Sequence, residues 1–110
     1  MEYIISQESN RILVIDDEQI IRDVLGDFLA NENFVVHSVS SGEEALRELA
    51  SKHYDIVLTD MKMPGINGID LLKEIKKRKL DTITIIMTGY GTVDTAVEAI
   101  KLGAFDYITK

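Results

Sequence analysis

The stretch RILVIDDE, residues 11–18, decides the fold, because an apolar run leads directly into three consecutive carboxylates. A continuous apolar run is typical of a strand buried on both faces inside a parallel sheet. Ionised carboxylates repel one another and resist desolvation, so such a cluster needs water, cations or hydrogen-bond donors around it. The stretch therefore predicts a buried strand whose carboxyl end faces something positively charged.

Composition narrows the class of protein. A chain of 110 residues with 45% apolar residues is long enough for one globular domain with its own core. The absence of cysteine excludes disulfides and thiolate metal sites. The net charge of −7 argues against direct nucleic-acid binding, and no apolar run reaches the length of a membrane span. Residues 1–10 lack the features of a signal peptide, so we expect a loose lead-in and a cytoplasmic protein.

Short apolar runs alternate with helical patterns, which predicts an α/β fold with a parallel sheet. Helical spacing of apolar residues indicates one helix between each pair of strands. Ser41 and Glu44 should open the second helix as a capping box, and Gly103 should end the fourth. The predicted strands are Arg11–Ile15, Phe34–Val39, Tyr54–Thr59, Ile83–Met87 and Phe105–Ile108.

The apolar character of the strands predicts their order. RILVI, DIVLT and ITIIM read as central strands, whereas FVVHSV and FDYIT read as edges. With right-handed crossovers the order becomes 2-1-3-4-5, a doubly wound sheet whose ligand crevice lies beyond the carboxyl ends of strands 1 and 3. Asp16 and Asp17 follow strand 1 and Asp60 follows strand 3, while Thr88 and Lys110 end strands 4 and 5. All five side chains should share one rim.

These residue types suit phosphoryl chemistry. Carboxylates from neighbouring strand ends form an oxygen-rich site for Mg²⁺, with Asp16 and Asp17 as ligands. Asp60 can serve as both ligand and nucleophile, since aspartyl phosphates are known covalent intermediates. Lys110 offers an ammonium group to phosphoryl oxygens, and Thr88 offers a hydroxyl donor.

The chain resembles the receiver domain of two-component response regulators, with a flavodoxin-like fold. The matching residues are Asp16-Asp17, Asp60 within LTDMKMPGINGIDLL, Thr88 within IIMTGYG and Lys110 after GAFDYIT. Each motif alone is weak, but together they occur in order and each at a strand end. The strand order 2-1-3-4-5 is itself known from a member of this family. The resemblance covers about residues 10–110.

The resemblance implies a phosphorylation-controlled signalling switch that is not an enzyme in the ordinary sense. Asp60 would accept a phosphoryl group from the phosphohistidine of a sensor histidine kinase, or from a small acyl phosphate. Asp17, Asp60 and the backbone carbonyl of Lys62 would bind Mg²⁺, with Asp16 assisting through water. Thr88 and Tyr107 would shift together on phosphorylation.

The stretch MTGYGTVDTAVEAIKLGAFDYITK is similar to receivers of the nitrogen-regulation subfamily. These precede an AAA+ ATPase and a DNA-binding domain in sigma-54-dependent activators, which implies a transcriptional output. Receivers usually continue after the lysine with a proline and a fifth helix. We therefore expect residues 11–110 to form a receiver truncated before that helix. Apolar side chains around Ile83, Ile85, Phe105 and Tyr107 should then be partly bare, which favours a homodimer.

Other interpretations stay open. Asp16 to Glu18 could be a solvated helix start, where carboxylates favour the helix dipole. Thr88 could be a strand-end cap, Lys110 a surface lysine, and Tyr107 a half-buried edge aromatic. A Mg²⁺-dependent phosphohydrolase, a nucleotide or flavin binder and a non-phosphorylatable scaffold are the rival functions. The sequence lacks the D-x-D motif of the common hydrolase family and the glycine-rich turn that a nucleotide binder needs after strand 1.

Overall fold

Five parallel strands form a single sheet in the computed structural model, which describes residues 10–89 and 93–109. The strands are β1 Arg11–Ile15, β2 Val35–Val39, β3 Ile56–Asp60, β4 Ile83–Thr88 and β5 Asp106–Thr109. The helices are α1 Gln19–Asn31, α2 Gly42–Ser51, α3 Gly68–Lys77 and α4 Val93–Lys101. The strand order is β2-β1-β3-β4-β5. The predicted doubly wound α/β fold and strand order are confirmed.

The strand ends differ slightly from the predicted ones. β3 begins at Ile56 and not at Tyr54, and it runs on to Asp60 because Asp60 pairs with Met87 of β4. β4 likewise extends to Thr88, which pairs with Thr109. The predicted lead-in at residues 1–10 falls outside the described residues except for Asn10, so this boundary stays a prediction.

Three helices cover one face of the sheet and α1 alone covers the other. On the first face, Leu13 and Val57 pack with α2 and α3, and Ile86 packs with α3 and α4. On the second face, Ile12 and Met87 pack against α1. This division follows from the alternation of side chains along each strand, because neighbouring residues point to opposite faces.

The face that α1 covers leaves apolar surface exposed beyond the helix. On this face Ile83 is 45% exposed and Ile108 is 42% exposed. Phe105 is 69% exposed but comes directly before β5 and is not part of the sheet. The prediction that Tyr107 would be one of the partly bare side chains on this face is wrong about the face. Tyr107 pairs with Ile86, so both side chains point to the opposite face, where Tyr107 packs against the cluster around α3 and α4.

Helix ends follow the predicted signals with one difference. The backbone N–H of Glu44 donates to Oγ of Ser41, the N-cap residue of α2, at 3.1 Å. The Glu44 carboxylate, however, accepts from the backbone N–H and the hydroxyl of Ser40, one residue earlier than a capping box requires. Gly103 follows α4 with a φ of 107°, a left-handed conformation that glycine adopts without strain.

The fourth helix packs through small residues. Ala99 is completely buried, whereas the larger side chains of Val97 and Ile100 are 45% and 48% exposed. The side of α4 that carries Ala99 therefore faces the sheet, whereas Val97 and Ile100 face outward. Within residues 10–89 and 93–109, no helix is long and apolar enough to cross a membrane.

Candidate functional site

Three carboxylates meet at the carboxyl edge of the sheet. Asp16, Asp17 and Asp60 each offer one carboxylate oxygen, and these oxygens lie within 4.8 Å of one another. Asp16 is completely buried and Asp60 is 6% exposed, whereas Asp17 is exposed. The structure thus brings together the three acidic residues that the strand order placed on one rim.

The sheet register explains why these groups converge. Ile15 pairs with Thr59, so Asp16 and Asp60 are the next residues along two adjacent parallel strands. Asp60 in turn pairs with Met87, and Thr88 follows Met87 at the same edge. Thr88 is 1% exposed. A buried hydroxyl and a buried carboxylate therefore lie on neighbouring strand ends.

Hydrogen bonds hold the backbone at Asp16. Its N–H donates to the carbonyl of Val39 at 3.2 Å, which extends the pairing of β1 with β2 by one step. Its carboxylate Oδ1 accepts from the backbone N–H of Glu18 at 2.9 Å, which closes a tight turn into α1. One Asp16 oxygen is thus used in shaping the turn that presents Asp17.

The segment after β3 folds back toward the sheet. The N–H of Met61 donates to the carbonyl of Met87 at 2.8 Å, and the N–H of Gly68 donates to the carbonyl of Met61 at 2.9 Å. A Cβ on Gly68 would lie 2.6 Å from the carbonyl oxygen of Asp60, so only glycine lets α3 begin this close. Met63 is buried in the core and anchors the segment that carries Lys62.

The remaining predicted residues lie at the same edge or outside the described part. Lys62 is exposed, and Tyr107 is half-buried in β5. Lys110 follows the last described residue of β5, Thr109, and itself lies outside the described residues. The role of Lys110 therefore stays a prediction that rests on its position directly after β5.

The donor set fits a small, hard divalent cation. All three groups are carboxylates, the ligand type that Mg²⁺ prefers, and the exposed Asp17 leaves one side open for water. Burying two carboxylates beside a third lowers the free energy of unfolding unless a positive charge compensates for their repulsion and desolvation. The chemistry and burial of these residues thus match a magnesium site.

Two contacts beside the site were missed from the sequence. Arg22 Nη1 donates to the backbone carbonyl of Asp16 at 2.7 Å. Thr95 Oγ1 and Tyr107 Oη lie 2.9 Å apart and share a hydrogen bond. The one available signal was the position of Arg22 near the start of α1. The helix dipole disfavours a cation there, so an arginine at that position indicates another interaction partner.

Known proteins with similar sequences are bacterial regulators. The regulatory protein AtoC of Escherichia coli is 45% identical over 101 residues, which are 92% of this chain and 22% of AtoC. The DNA-binding transcriptional regulator NtrC of Escherichia coli is 43% identical over 99 residues, which are 90% of this chain and 21% of NtrC. The chain spans about a fifth of the length of these relatives. The predicted similarity to the nitrogen-regulation subfamily is confirmed.

The fold also matches solved receiver structures. The response regulator TrrA of Thermotoga maritima, in complex with Mg²⁺-BeF, superimposes with a TM-score of 0.83 at 37% identity, covering 93% of this chain and 87% of TrrA. The family description "response regulator receiver domain" matches residues 12–110. This match includes all the acidic residues of the site. The chain therefore belongs to the response regulator receiver domain family.

Proposed function

We propose that Asp60 is the phosphoacceptor of this receiver domain and that its phosphorylation requires Mg²⁺. The observation that carries the proposal is the convergence of carboxylate oxygens from Asp16, Asp17 and Asp60 within 4.8 Å. Asp60 is the one member of this cluster that comes from β3, opposite the acidic pair after β1. The carboxylates that would hold the cation therefore lie beside an Asp60 oxygen.

The chemical step is a phosphoryl transfer between donor and carboxylate. An Asp60 oxygen attacks phosphorus, a new P–O bond forms, and the P–N bond to a phosphohistidine imidazole breaks, after which the imidazole nitrogen takes up a proton. With a small acyl phosphate the leaving group is a carboxylate. Catalysis of this kind depends on positioning and charge neutralisation, because little covalent chemistry falls to the protein.

The residues of this chain divide that task. Asp17, Asp60 and the carbonyl of Lys62 would hold Mg²⁺, and Asp16 would assist through water. The bound cation would neutralise charge that develops on the phosphoryl oxygens. Thr88 and Lys110 would donate to those oxygens once the group is on Asp60. Thr88 would then move toward the phosphoryl group, and Tyr107 would reorient with it.

The relatives support a signalling context for this domain. The partner would be a sensor histidine kinase, and the output an AAA+ ATPase with a DNA-binding domain of the kind that the nitrogen-regulation subfamily carries. We place this signalling in the cytoplasm. The domain would catalyse only its own phosphorylation and dephosphorylation, and residues 11–110 would form the receiver unit. The exposed apolar side chains of Ile83 and Ile108 support the formation of a homodimer.

Intact mass spectrometry after incubation with acetyl phosphate tests the proposal. We expect a single stable phosphoryl adduct with Mg²⁺ and none when the cation is chelated. Asp60→Asn should abolish the adduct, whereas Asp27→Asn, the same change at an exposed position on α1, should leave it intact. Asp17→Asn should weaken Mg²⁺ binding in calorimetry.

Other outcomes contradict the proposal and distinguish its rivals. Turnover of the donor without a stable adduct would favour a phosphohydrolase. No reaction with the wild-type chain would favour a scaffold. An adduct mapped to Asp16 or Thr88 would show that Asp60 is not the acceptor.

A further inference from the structure

Arg22 reaches from α1 to the backbone of the acidic site. Its Nη1 donates to the carbonyl oxygen of Asp16 at 2.7 Å. Its own backbone N–H donates to the carbonyl of Glu18 at 3.2 Å. The side chain is half-buried, so this contact lies partly out of solvent. Arg22 therefore ties the first turn of α1 to the peptide that joins Asp16 to Asp17.

This contact acts on the direction of Asp17. The carbonyl of Asp16 and the N–H of Asp17 belong to one planar peptide unit. A hydrogen bond to that carbonyl therefore fixes the orientation of the peptide plane that precedes the Cα atom of Asp17. The Asp17 side chain is exposed and is not held by burial in the core. A charged donor at 2.7 Å gives a short, strong hydrogen bond. The orientation of Asp17 thus depends on how firmly this peptide is held.

The ordinary helix cap does not hold the same turn. Glu18 is the N-cap residue of α1, and its side chain makes no capping hydrogen bond. The first turn of α1 also contains no acidic residue. By contrast, α2 and α3 begin with side-chain caps from Ser41 and Asn67. The junction at α1 is held instead by Asp16 Oδ1 and by Arg22.

We propose that Arg22 is a positioning residue, which holds the Asp16–Asp17 peptide in the orientation that Mg²⁺ binding requires. The inference rests on the proposed function, because it assumes that Asp17 is a ligand. Groups that orient metal ligands from outside the ligand shell typically raise metal affinity by about 10- to 100-fold. We expect an effect near the lower end, since one peptide and not a ligand atom is held.

Arg22→Met removes the donor and keeps an apolar stem. We expect its dissociation constant for Mg²⁺, measured by calorimetry, to rise about tenfold. Arg47→Met is the matched control, because Arg47 lines the same 410 Å³ cavity as Arg22. It loses the same charge from α2, away from the turn that joins Asp16 to α1, so its Mg²⁺ affinity should stay near that of the wild type.

A second readout does not depend on the cation. The amide resonance of Asp17 in metal-free protein reports the hydrogen bond to the carbonyl of its own peptide unit, so it should shift in Arg22→Met and not in Arg47→Met. Arg22→Lys, which keeps the charge but loses the guanidinium fork, should give an intermediate affinity and replaces Arg22→Met if that variant does not fold.

The outcomes separate this inference from the proposed function. Wild-type protein that binds Mg²⁺, together with Arg22→Met that binds it equally well, overturns the positioning role and leaves the proposed function intact. Equal losses in Arg22→Met and Arg47→Met also overturn it, because they point to net charge alone. Wild-type protein that binds no Mg²⁺ overturns the proposed function and this inference together.

Discussion

Thr95 Oγ1 of α4 and Tyr107 Oη of β5 lie 2.9 Å apart, so one hydrogen bond ties the predicted switch tyrosine to the helix beside it. Tyr107 is half-buried, and its ring packs against the cluster that contains Ile86 and Ala99. The ring is therefore held by apolar contacts at its body and by the hydroxyl at its tip. Any reorientation of Tyr107 has to break this bond.

A double-mutant cycle measures that bond. Thr95→Val and Tyr107→Phe each remove one hydroxyl, and each should lower the free energy of unfolding by about 1 kcal/mol. The double variant should lose little more than either single variant, because both changes remove the same interaction. Urea denaturation gives the free energies. Fully additive losses would show that the two hydroxyls contribute independently.

Gly68 and Gly26 should respond oppositely to substitution by alanine. A Cβ on Gly68 would lie 2.6 Å from the carbonyl oxygen of Asp60 and 3.0 Å from Cα of Met61. Gly68→Ala should therefore destabilise the fold by about 1–3 kcal/mol and also weaken Mg²⁺ binding, because the backbone of Asp60 has to move.

Gly26 provides the matched control for this change. It lies inside α1, and a Cβ there would meet nothing within 4 Å. Gly26→Ala should stabilise the protein by about 0.5–1 kcal/mol, because alanine loses less backbone entropy in a helix. Urea denaturation and calorimetry with Mg²⁺ check both variants. If Gly68→Ala leaves the free energy of unfolding unchanged, then α3 can shift away from Asp60 without destabilising the fold.

The order of the strands was predictable because the apolar composition of each strand indicates its position in a parallel sheet. The runs RILVI and DIVLT are apolar on both faces, which placed β1 and β3 together in the centre and therefore brought Asp16 close to Asp60. Parallel strands end at the same edge, so the rim of polar residues followed from topology alone. No side-chain detail was needed for this part of the site.

Details that depend on register or on side-chain reach were not predictable. The face to which Tyr107 points is set by its pairing with Ile86, and a short strand such as FDYIT carries no clear alternation. Arg22 and Thr95 act through their terminal atoms, whose positions depend on tertiary packing. Glu44 shows the same limit on a local scale, since its carboxylate bonds to Ser40 and not to the N-cap residue.

The lifetime of the phosphorylated state should depend on the residues two positions after Asp60 and Thr88. These are Lys62, which is exposed, and Tyr90, which lies outside the described residues. Neither offers a carboxylate or amide to orient the attacking water, and both are bulky, so autodephosphorylation should be slow. Tyr90→Glu combined with Lys62→Asn should speed decay by at least about tenfold.

The matched control for that pair is Lys73→Glu, which changes the net charge equally at an exposed position on α3. Its phosphorylated form should decay at the wild-type rate. Loss of the phosphoryl adduct followed by intact mass over time gives the rates. If the double variant decays no faster than the control, then water access does not limit the lifetime.

Tyr54 and Glu48 should make stability depend on pH at both ends of the scale. The Tyr54 hydroxyl donates to Glu48 Oε1 at 2.7 Å, and the tyrosine is 1% exposed. Burial, followed by the bond to the carboxylate, raises the pKa of Tyr54 to about 12. The same bond is the main cause that lowers the pKa of Glu48 below its ordinary value, with smaller contributions from His37 and Lys52.

The raised pKa of Tyr54 and the lowered pKa of Glu48 make stability change with pH in opposite directions. Because the folded-state pKa of Tyr54 lies above its unfolded value of 10.0, its contribution is complete below pH 10.0 and is lost as pH rises toward about 12. The loss should reach about 2 kcal/mol at the upper end. The pKa of Glu48 is lowered, so its contribution is present above 4.5 and is lost as pH falls below that value.

Tyr54→Phe removes the titrating group at alkaline pH and the donor to Glu48 at acidic pH. Its free energy of unfolding, measured in urea across the pH range, should therefore fall less steeply than that of the wild type above pH 10.0, and also less steeply below 4.5. Glu48→Gln distinguishes the two effects. It should remove the pH dependence of this pair below 4.5 but only reduce it above pH 10.0, because burial alone still raises the pKa of Tyr54. A Tyr54→Phe profile that runs parallel to the wild type in both ranges would show that this pair does not link folding to pH.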